Sequence, residues 1–144
     1  MADNPVGNEG FISELDVRIF MRDNNPEANV LLGDYEFAPE EIRTAQTLCV
    51  DRWNDTPPQV GNYTVTNFPW RYFLLMGTVA NLLTIAAHGY RRNHLTYNVP
   101  GGSINDQDKA PAYDAAAAKI GKDFSDWLMT QKVAQNMNQG WGTV

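Results

Sequence analysis

The chain has 144 residues, which is the usual length of one domain, and 43% of them are hydrophobic. That composition can bury a core, so it excludes a wholly disordered protein. The formal net charge of -6 excludes a protein that binds nucleic acid chiefly by neutralising phosphates, because that mode requires a basic surface. The single cysteine, Cys49, excludes an internal disulfide, so packing must supply the stability.

The first predicted helix follows a polar N-terminal segment. Residues 1–12 are rich in glycine and small polar side chains, which predicts a flexible arm. Ser13, with Asp16 three residues later, indicates a helix start, and apolar residues continue in two rows at helical spacing to about Arg22. Residues 23–37 are rich in asparagine, proline, glycine and acidic side chains, and we predict an irregular connection there.

Two further helices have clear boundary signals. Pro39 followed by two glutamates is typical of a first helical turn, and the spacing of a buried face continues until residues 56–58, Thr-Pro-Pro, end the helix. Residues 63–65 alternate in polarity, which fits either a short strand or an extended linker. The longest apolar helix is predicted over residues 69–92. Because it is apolar almost all round, we expect it to be the central helix.

Alternating apolar residues around a glycine pair predict an excursion from the helical body. Over residues 95–104 the pattern fits a hairpin or an extended segment, with the turn at residues 100–102. A last helix is predicted from about Asp108 to Asn136, where apolar side chains keep helical spacing. The tail that follows is not expected to continue this helix.

These elements define the predicted fold class. The chain should be mainly α, a small helical bundle with a long central helix, an extended hairpin-like excursion and flexible terminal arms. The single domain spans residues 13–136, between an N-terminal arm, residues 1–12, and a C-terminal arm, residues 137–144. Trp141 lies between two glycines in the second arm, and we expect it to anchor a partner protein.

Side chains that carry enzyme chemistry are few and poorly spaced. The two histidines, His88 and His94, lie six residues apart and do not share a helical face as zinc ligands would. No serine lies in a GxSxG sequence. Asp51 and Asp55 share a helical face, but the adjacent Arg52 and the prolines that follow favour a solvated helix end over an acid/base pair. We therefore expect no enzyme activity, no metal ion and no cofactor.

The predicted central helix is not expected to span a membrane. Its longest apolar stretch, Phe73 to Ala87, is too short to span a membrane, and the N-terminus lacks the pattern of a secretion signal. We therefore expect a soluble protein without a membrane partner.

The predicted central helix also has one polar stripe, which is predicted to be a contact between subunits. It consists of Thr78, Asn81, Thr84 and His88.

Charge is unevenly distributed along the chain. Residues 1–55 contain twelve acidic residues and four arginines, whereas residues 56–92 contain three arginines and no acidic residue. These two regions should attract each other, within one subunit or between neighbouring subunits. The predicted positive partners are Arg71, Arg91 and Arg92. The predicted negative partners are Glu36, Glu40 and Glu41.

Several segments resemble proteins of tailed bacteriophages. Residues 16–23, DVRIFMRD, an acidic loop, and residues 39–54, PEEIRTAQTLCVDRWN, occur in the order found in head-to-tail connector proteins, the adaptors that form a ring beneath the portal. Other segments resemble sequences that recur in structural proteins of contractile-tailed phages. They are residues 54–58, 67–69, 92–97, 101–102 and 132–136.

The resemblance implies a structural role in the virion. Members of the connector family are small helical bundles with extended arms that assemble as a closed, usually dodecameric, ring through which DNA passes. The implied partners are further copies of the chain, the portal protein and tail or tail-terminator proteins, with only transient, non-specific contact with passing DNA. The implied location is the virion, which is assembled in the host cytoplasm. An acidic chain suits a DNA conduit, since a conduit should not bind phosphates.

Two features differ from a minimal adaptor, namely the long central helix and the large excursion at residues 95–104. They leave a tail-terminator or another neck protein as an alternative. A cellular helical protein-binding module is a further alternative, because it would have the same bundle as a monomer.

Overall fold

The structure is a computed structural model that describes residues 12–28, 34–58, 61–92, 96–99, 102–105 and 109–142, with the backbone alone described in the two strands and in residues 139–142. Within these residues the chain is mainly helical, which confirms the predicted helical bundle with a long helix. The helices are α1 (Glu14–Met21), α2 (Pro39–Asp55), α3 (Arg71–Arg92) and α4 (Lys109–Gly142), with a short 3-10 helix at Pro26–Ala28. The strands are β1 (Thr96–Val99) and β2 (Gly102–Asn105).

The first two helices begin where their capping residues predict. The Ser13 hydroxyl accepts a hydrogen bond from the Asp16 backbone N–H at 3.1 Å, and the Asp16 carboxylate accepts one from the Ser13 N–H at 2.9 Å. Pro39 opens α2, and the Glu41 carboxylate accepts a hydrogen bond from the Ala38 N–H at 3.2 Å. Both helix starts are therefore confirmed.

The helix α3 is the centre of the bundle, as predicted, and it packs against α1, α2 and α4. Leu74 and Leu82 are fully buried. Gly77 lies where α2 and α4 both approach closely, because a Cβ atom there would collide with the Cys49 sulfur and lie 3.0 Å from the Phe124 ring. Gly77 therefore lets three helices pack around one point.

Over the described ranges, α3 alone is long and apolar enough to cross a membrane, since it has 22 residues and an 18-residue window within it has a mean hydropathy of 1.3. The expectation that this region is too short is therefore wrong, since the helix extends beyond the stretch from Phe73 to Ala87. Its packing against three other helices accounts for the apolar composition.

An aromatic core closes one end of the bundle, and it is formed by the rings of Trp53, Tyr63, Phe68, Trp70 and Trp127. Trp53 is fully buried, with its ring centroid between 4.7 and 6.0 Å from the other four. Residues 61–70 form an extended linker with a turn rather than a strand. The Asn54 side chain fixes this linker, because it accepts a hydrogen bond from the Tyr63 N–H at 3.0 Å and donates one to the Tyr63 carbonyl at 2.9 Å.

The excursion between α3 and α4 is a true hairpin. Strands β1 and β2 pair antiparallel, with Thr96 opposite Asn105 and Val99 opposite Gly102. Of the two alternatives that the sequence left open, the pairing of the described strands therefore shows the hairpin.

Both predicted arm boundaries require correction. The helix α4 continues to Gly142, six residues beyond its predicted end, so the expectation that residues 137–144 form an arm that cannot be helical is wrong through residue 142. A glycine in a helix costs only about 1 kcal/mol relative to alanine, which the preceding turns can offset. Ile12 was assigned to the N-terminal arm, yet it is buried and its carbonyl accepts a hydrogen bond from the Gln46 amide at 3.3 Å. Residues 1–11 and 143–144 lie outside the described residues.

Candidate interaction site

The predicted polar stripe on α3 is only partly on the surface. Thr78 is fully buried, and its hydroxyl donates to the Leu74 carbonyl at 2.7 Å. The Asn81 amide donates to the Ala45 carbonyl of α2 at 3.0 Å. Thr78 is therefore inside the bundle and not on a subunit surface, and the half-buried Asn81 side chain binds α2 of its own chain. Thr84 and His88 are exposed.

Glu36 has tyrosine partners instead of the predicted arginines. The hydroxyls of Tyr90 on α3 and Tyr113 on α4 both donate to one carboxylate oxygen of Glu36, each at 2.9 Å. Burial, and then the hydrogen bond to Glu36, raise the pKa of Tyr113 to about 12 and raise the pKa of Tyr90 well above its ordinary value. Glu36 therefore joins its loop to two helices of its own chain.

A second buried carboxylate, which the sequence did not indicate as important, holds the same loop. Asp23 accepts hydrogen bonds from the backbone N–H groups of Glu36 at 2.7 Å and Phe37 at 3.0 Å. It also forms an ion pair with the buried Arg18 guanidinium at 2.9 Å. Arg18 in addition pairs with Glu14 at 2.8 Å. This network fixes the end of α1 against the loop that precedes α2.

The remaining predicted charged partners have mixed roles. Arg71 pairs with Asp16 of α1 at 3.8 Å, so opposite charges of the two regions meet within one subunit. Arg91 pairs with Asp114 of α4. The Glu41 carboxylate caps α2. Arg92 and Glu40 are exposed.

Two further predicted residues are not described in full. The helix α4 carries Trp141 in its last turn, but the Trp141 side chain and the whole of His94 lie outside the described residues.

An apolar groove lies between α1 and the first half of α3, and we call it the α1–α3 groove. Its volume is about 460 Å³. The exposed fractions of its outer apolar residues are 52% for Ile19, 47% for Phe20 and 62% for Tyr72. The described residues that line it are Ile12, Asp16, Ile19, Phe20, Arg71, Tyr72 and Leu75.

The sequence contained a signal for this groove that its interpretation missed. The helix α1 carries two apolar rows, whereas a short helix at the edge of a bundle buries one face. Val17 is on the buried face. The second row, with Leu15 and Ile19, is left exposed at 41% and 52%. Ile19 of this row lines the α1–α3 groove, whereas Leu15 lines a different groove. A second groove of about 660 Å³ lies on the α2 side of α1, and the charged groups of Glu14, Arg18 and Arg43 contribute to its lining.

A second apolar surface runs along the last third of α4, and we call it the α4 ridge. Met129, Val133 and Met137 are spaced four residues apart, so they lie on one face of the helix, and they are 48%, 49% and 55% exposed. Phe124 and Leu128, on another face of α4, are buried in the core. The ridge therefore belongs to the solvent side of a helix whose core side is already covered.

Lys132 is the single charged residue within residues 127–138, and it points away from the α4 ridge. Its ammonium donates hydrogen bonds to the backbone carbonyls of Thr56 and Pro58, the latter at 3.1 Å. It also lies 4.9 Å from the centre of the Trp53 ring. Burial lowers the pKa of Lys132 below its ordinary value. The exposed face of the ridge is therefore uncharged between residues 127 and 138, and the exposed Asp126 at its N-terminal edge is paired with Lys122 at 2.9 Å.

Neither a metal centre nor a reactive thiol is formed by the residues that the structure describes. These residues contain no group of three histidine, cysteine, aspartate or glutamate side chains that could hold a metal ion. Cys49 is buried, and burial raises the pKa of its thiol to about 12, which suppresses the reactive thiolate.

Comparison of this chain with known proteins finds no matching family model, no matching curated protein and no matching solved structure.

Proposed function

We propose that this chain is a structural virion protein, a ring-forming head-to-tail connector that joins the portal to the tail of a tailed phage and forms part of the DNA conduit. The observation that carries the proposal is the presence of two exposed apolar surfaces, the α1–α3 groove and the α4 ridge, on one small chain. Contiguous exposed apolar surface marks protein contacts, and a ring subunit needs two such contacts, one for each neighbour.

Two further features support this proposal. The segments that resemble connector proteins, residues 16–23 and 39–54, include most of α1 and α2. The net charge of -6 suits a channel wall, because an acidic surface does not retain the phosphates of passing DNA. The proposed partners are further copies of the chain, the portal protein and tail proteins. No catalytic role or cofactor belongs to the proposal.

A tail-terminator or another neck protein is the second candidate. The observation that favours it is the size of the elements beyond a minimal bundle, namely the β1–β2 hairpin and the 34 residues of α4. At about 1.5 Å per residue, α4 is roughly 50 Å long, against roughly 33 Å for α3.

Electron microscopy of the purified protein tests the proposed function. We expect closed rings of uniform size with a central channel, formed by the protein alone at micromolar to millimolar concentration. The acidic channel should leave DNA unbound in a filter-binding assay at physiological salt. A protein that remains a single chain at millimolar concentration, or that closes as a simple dimer, would contradict the proposal.

A further inference from the structure

The α4 ridge and the α1–α3 groove are complementary in form. The ridge presents three apolar side chains on successive turns, about 6 Å apart along the helix axis. The groove is an open depression of about 460 Å³ between two helices, with apolar walls. A row of apolar side chains on one helix that enters a groove between two others is a common form of protein recognition.

The two surfaces also match in charge, because neither has a net charge. The charged groups among the described residues that line the groove are Asp16 and Arg71, which neutralise each other at 3.8 Å. The ridge is uncharged, since Lys132 is held inside by backbone carbonyls. Copies of a chain with a net charge of -6 repel one another, so contact is least costly where their surfaces are neutral.

The exposed areas are of the size that such a contact requires. Each of the six outer side chains is about half exposed. A large side chain in that state leaves on the order of 100 Å² uncovered, which gives an apolar centre of on the order of 300 Å² on each partner. A standard interface buries about 800 Å² per partner, with an apolar centre inside a polar rim. The ridge and the groove can therefore form the centre of one interface.

In the described part of the chain the two surfaces lie on different elements. The groove is formed by α1, by Ile12 just before it and by α3, whereas the ridge lies on α4. We infer that the α4 ridge of one copy packs into the α1–α3 groove of the next copy. Each copy then offers its groove to one neighbour and its ridge to the other, which is a heterologous contact that closes into a ring when the rotation allows. This inference rests on the proposed function and names the surfaces that join the subunits.

Charge substitutions on the two surfaces test the contact. Ile19→Glu places a carboxylate in the groove, Val133→Glu places one on the ridge, and sedimentation velocity measures the mass of each variant where the wild type assembles. We expect both variants to stay single chains, with the association constant lowered by a factor on the order of 100, because an unpaired charge is excluded from an apolar contact.

An equal mixture of the two variants is the decisive sample. The intact ridge of Ile19→Glu can enter the intact groove of Val133→Glu, so the mixture should form heterodimers and nothing larger. The matched control is Leu48→Glu on α2, because Leu48 is 49% exposed and belongs to neither surface. Leu48→Glu should assemble like the wild type. Tyr72→Glu and Met137→Glu supply an independent pair, and the melting temperature of every variant shows that it is folded.

The possible outcomes separate this contact from the proposed function. If Ile19→Glu and Val133→Glu form rings as Leu48→Glu does, the proposed contact is wrong while the proposed ring still stands. A wild-type protein that stays a single chain at millimolar concentration contradicts both the proposed contact and the proposed ring. Open filaments that both variants abolish would support the contact and contradict the closed ring. A lower melting temperature for Ile19→Glu alone, without heterodimers in the mixture, would mean that residues 1–11 of the same chain fill the groove, and would overturn the contact.

Discussion

Large apolar side chains have opposite surroundings in two regions beside α3. In the aromatic core, Trp53 is fully buried, and its ring centroid lies 4.7 Å from that of Trp70 and 5.6 Å from that of Trp127. In the α1–α3 groove, Phe20 and Tyr72 are about half exposed. Removing apolar surface from water is the main favourable contribution to folding. The core therefore stabilises the chain, while the groove leaves similar surface available for a second molecule.

One turn of α3 contains both environments. Leu74 is fully buried, and the Phe73 ring stacks on Trp127 with 4.1 Å between centroids and 5° between planes. The adjacent Tyr72 is 62% exposed. Position on the helix, and not residue type, therefore decides whether a side chain serves folding or contact. Substitutions at matched positions can separate these two roles.

The largest expected effect comes from a charge on the covered side of α3. Leu74→Asp should prevent folding, because a buried, unpaired carboxylate costs several kcal/mol, which is comparable to the stability of a small domain. Tyr72→Asp, two residues away but exposed, should fold with a melting temperature close to that of the wild type. Circular dichroism on heating measures both. Equal melting curves for Leu74→Asp and the wild type would show that α3 is not the central helix.

The second effect concerns the network that holds α1 at the edge of the groove. Asp23→Ala removes the buried one of the two carboxylate partners of Arg18, together with two acceptors for backbone N–H groups. We therefore expect a loss of about 3 kcal/mol in the free energy of unfolding. Asp126→Ala is the control, since its ion pair with Lys122 is exposed and should add no measurable stability. Urea denaturation gives both values. Similar losses for the two variants would refute a structural role for the Asp23 network.

The third prediction compares the stability of two glycine-to-alanine variants whose glycines differ in the space around them. Gly77→Ala should lower the free energy of unfolding by about 1–3 kcal/mol, because the new methyl group meets Cys49 and Phe124. Gly121→Ala on α4 has no neighbour within 4 Å of the new Cβ and should raise the free energy of unfolding by up to about 1 kcal/mol. Opposite signs in chemical denaturation are expected. A stabilising Gly77→Ala would mean that α2, α3 and α4 pack less closely than described.

The smallest expected effect is on the dependence of stability on pH. The pKa of Tyr113 is raised from 10.0 to about 12 in the folded chain, and the pKa of Tyr90 is raised in the same direction. The unfolded chain therefore releases these protons first as the pH rises, and stability declines between about pH 10 and 12. The double variant Tyr90→Phe and Tyr113→Phe should flatten this decline when melting temperatures are compared at pH 9 and above. An unchanged slope would contradict the shared hydrogen bonds to Glu36.

The sequence predicted the helices well because their signals are local. Ser13, Asp16 and Pro39 act through hydrogen bonds and backbone angles within one turn, so the starts of α1 and α2 follow from neighbouring residues. The hairpin likewise follows from a local sequence pattern, in which alternating apolar residues flank a glycine pair.

The exposed apolar surfaces could not be predicted in the same way. A helical stripe reveals which residues share a face, but the packing of other helices decides whether that face is covered. For this reason the sequence pattern places Thr78 and Asn81 on the surface although Thr78 is buried and Asn81 binds α2, and it does not show that one row of α1 is exposed. The partners of Glu36 were missed because Tyr90 and Tyr113 lie 54 and 77 residues away in the sequence. The end of α4 was placed too early because single glycines were given too much weight.

Hydrogen exchange at two protein concentrations tests most directly whether the two exposed surfaces join copies of the chain. Peptides from α1 and from residues 129–138 of α4 should gain protection together when the concentration rises from micromolar to millimolar. Peptides around Leu48 on α2 should show no change, because this exposed residue belongs to neither surface. Protection that rises in α2 alone, or a chain whose exchange does not depend on concentration, would contradict the account.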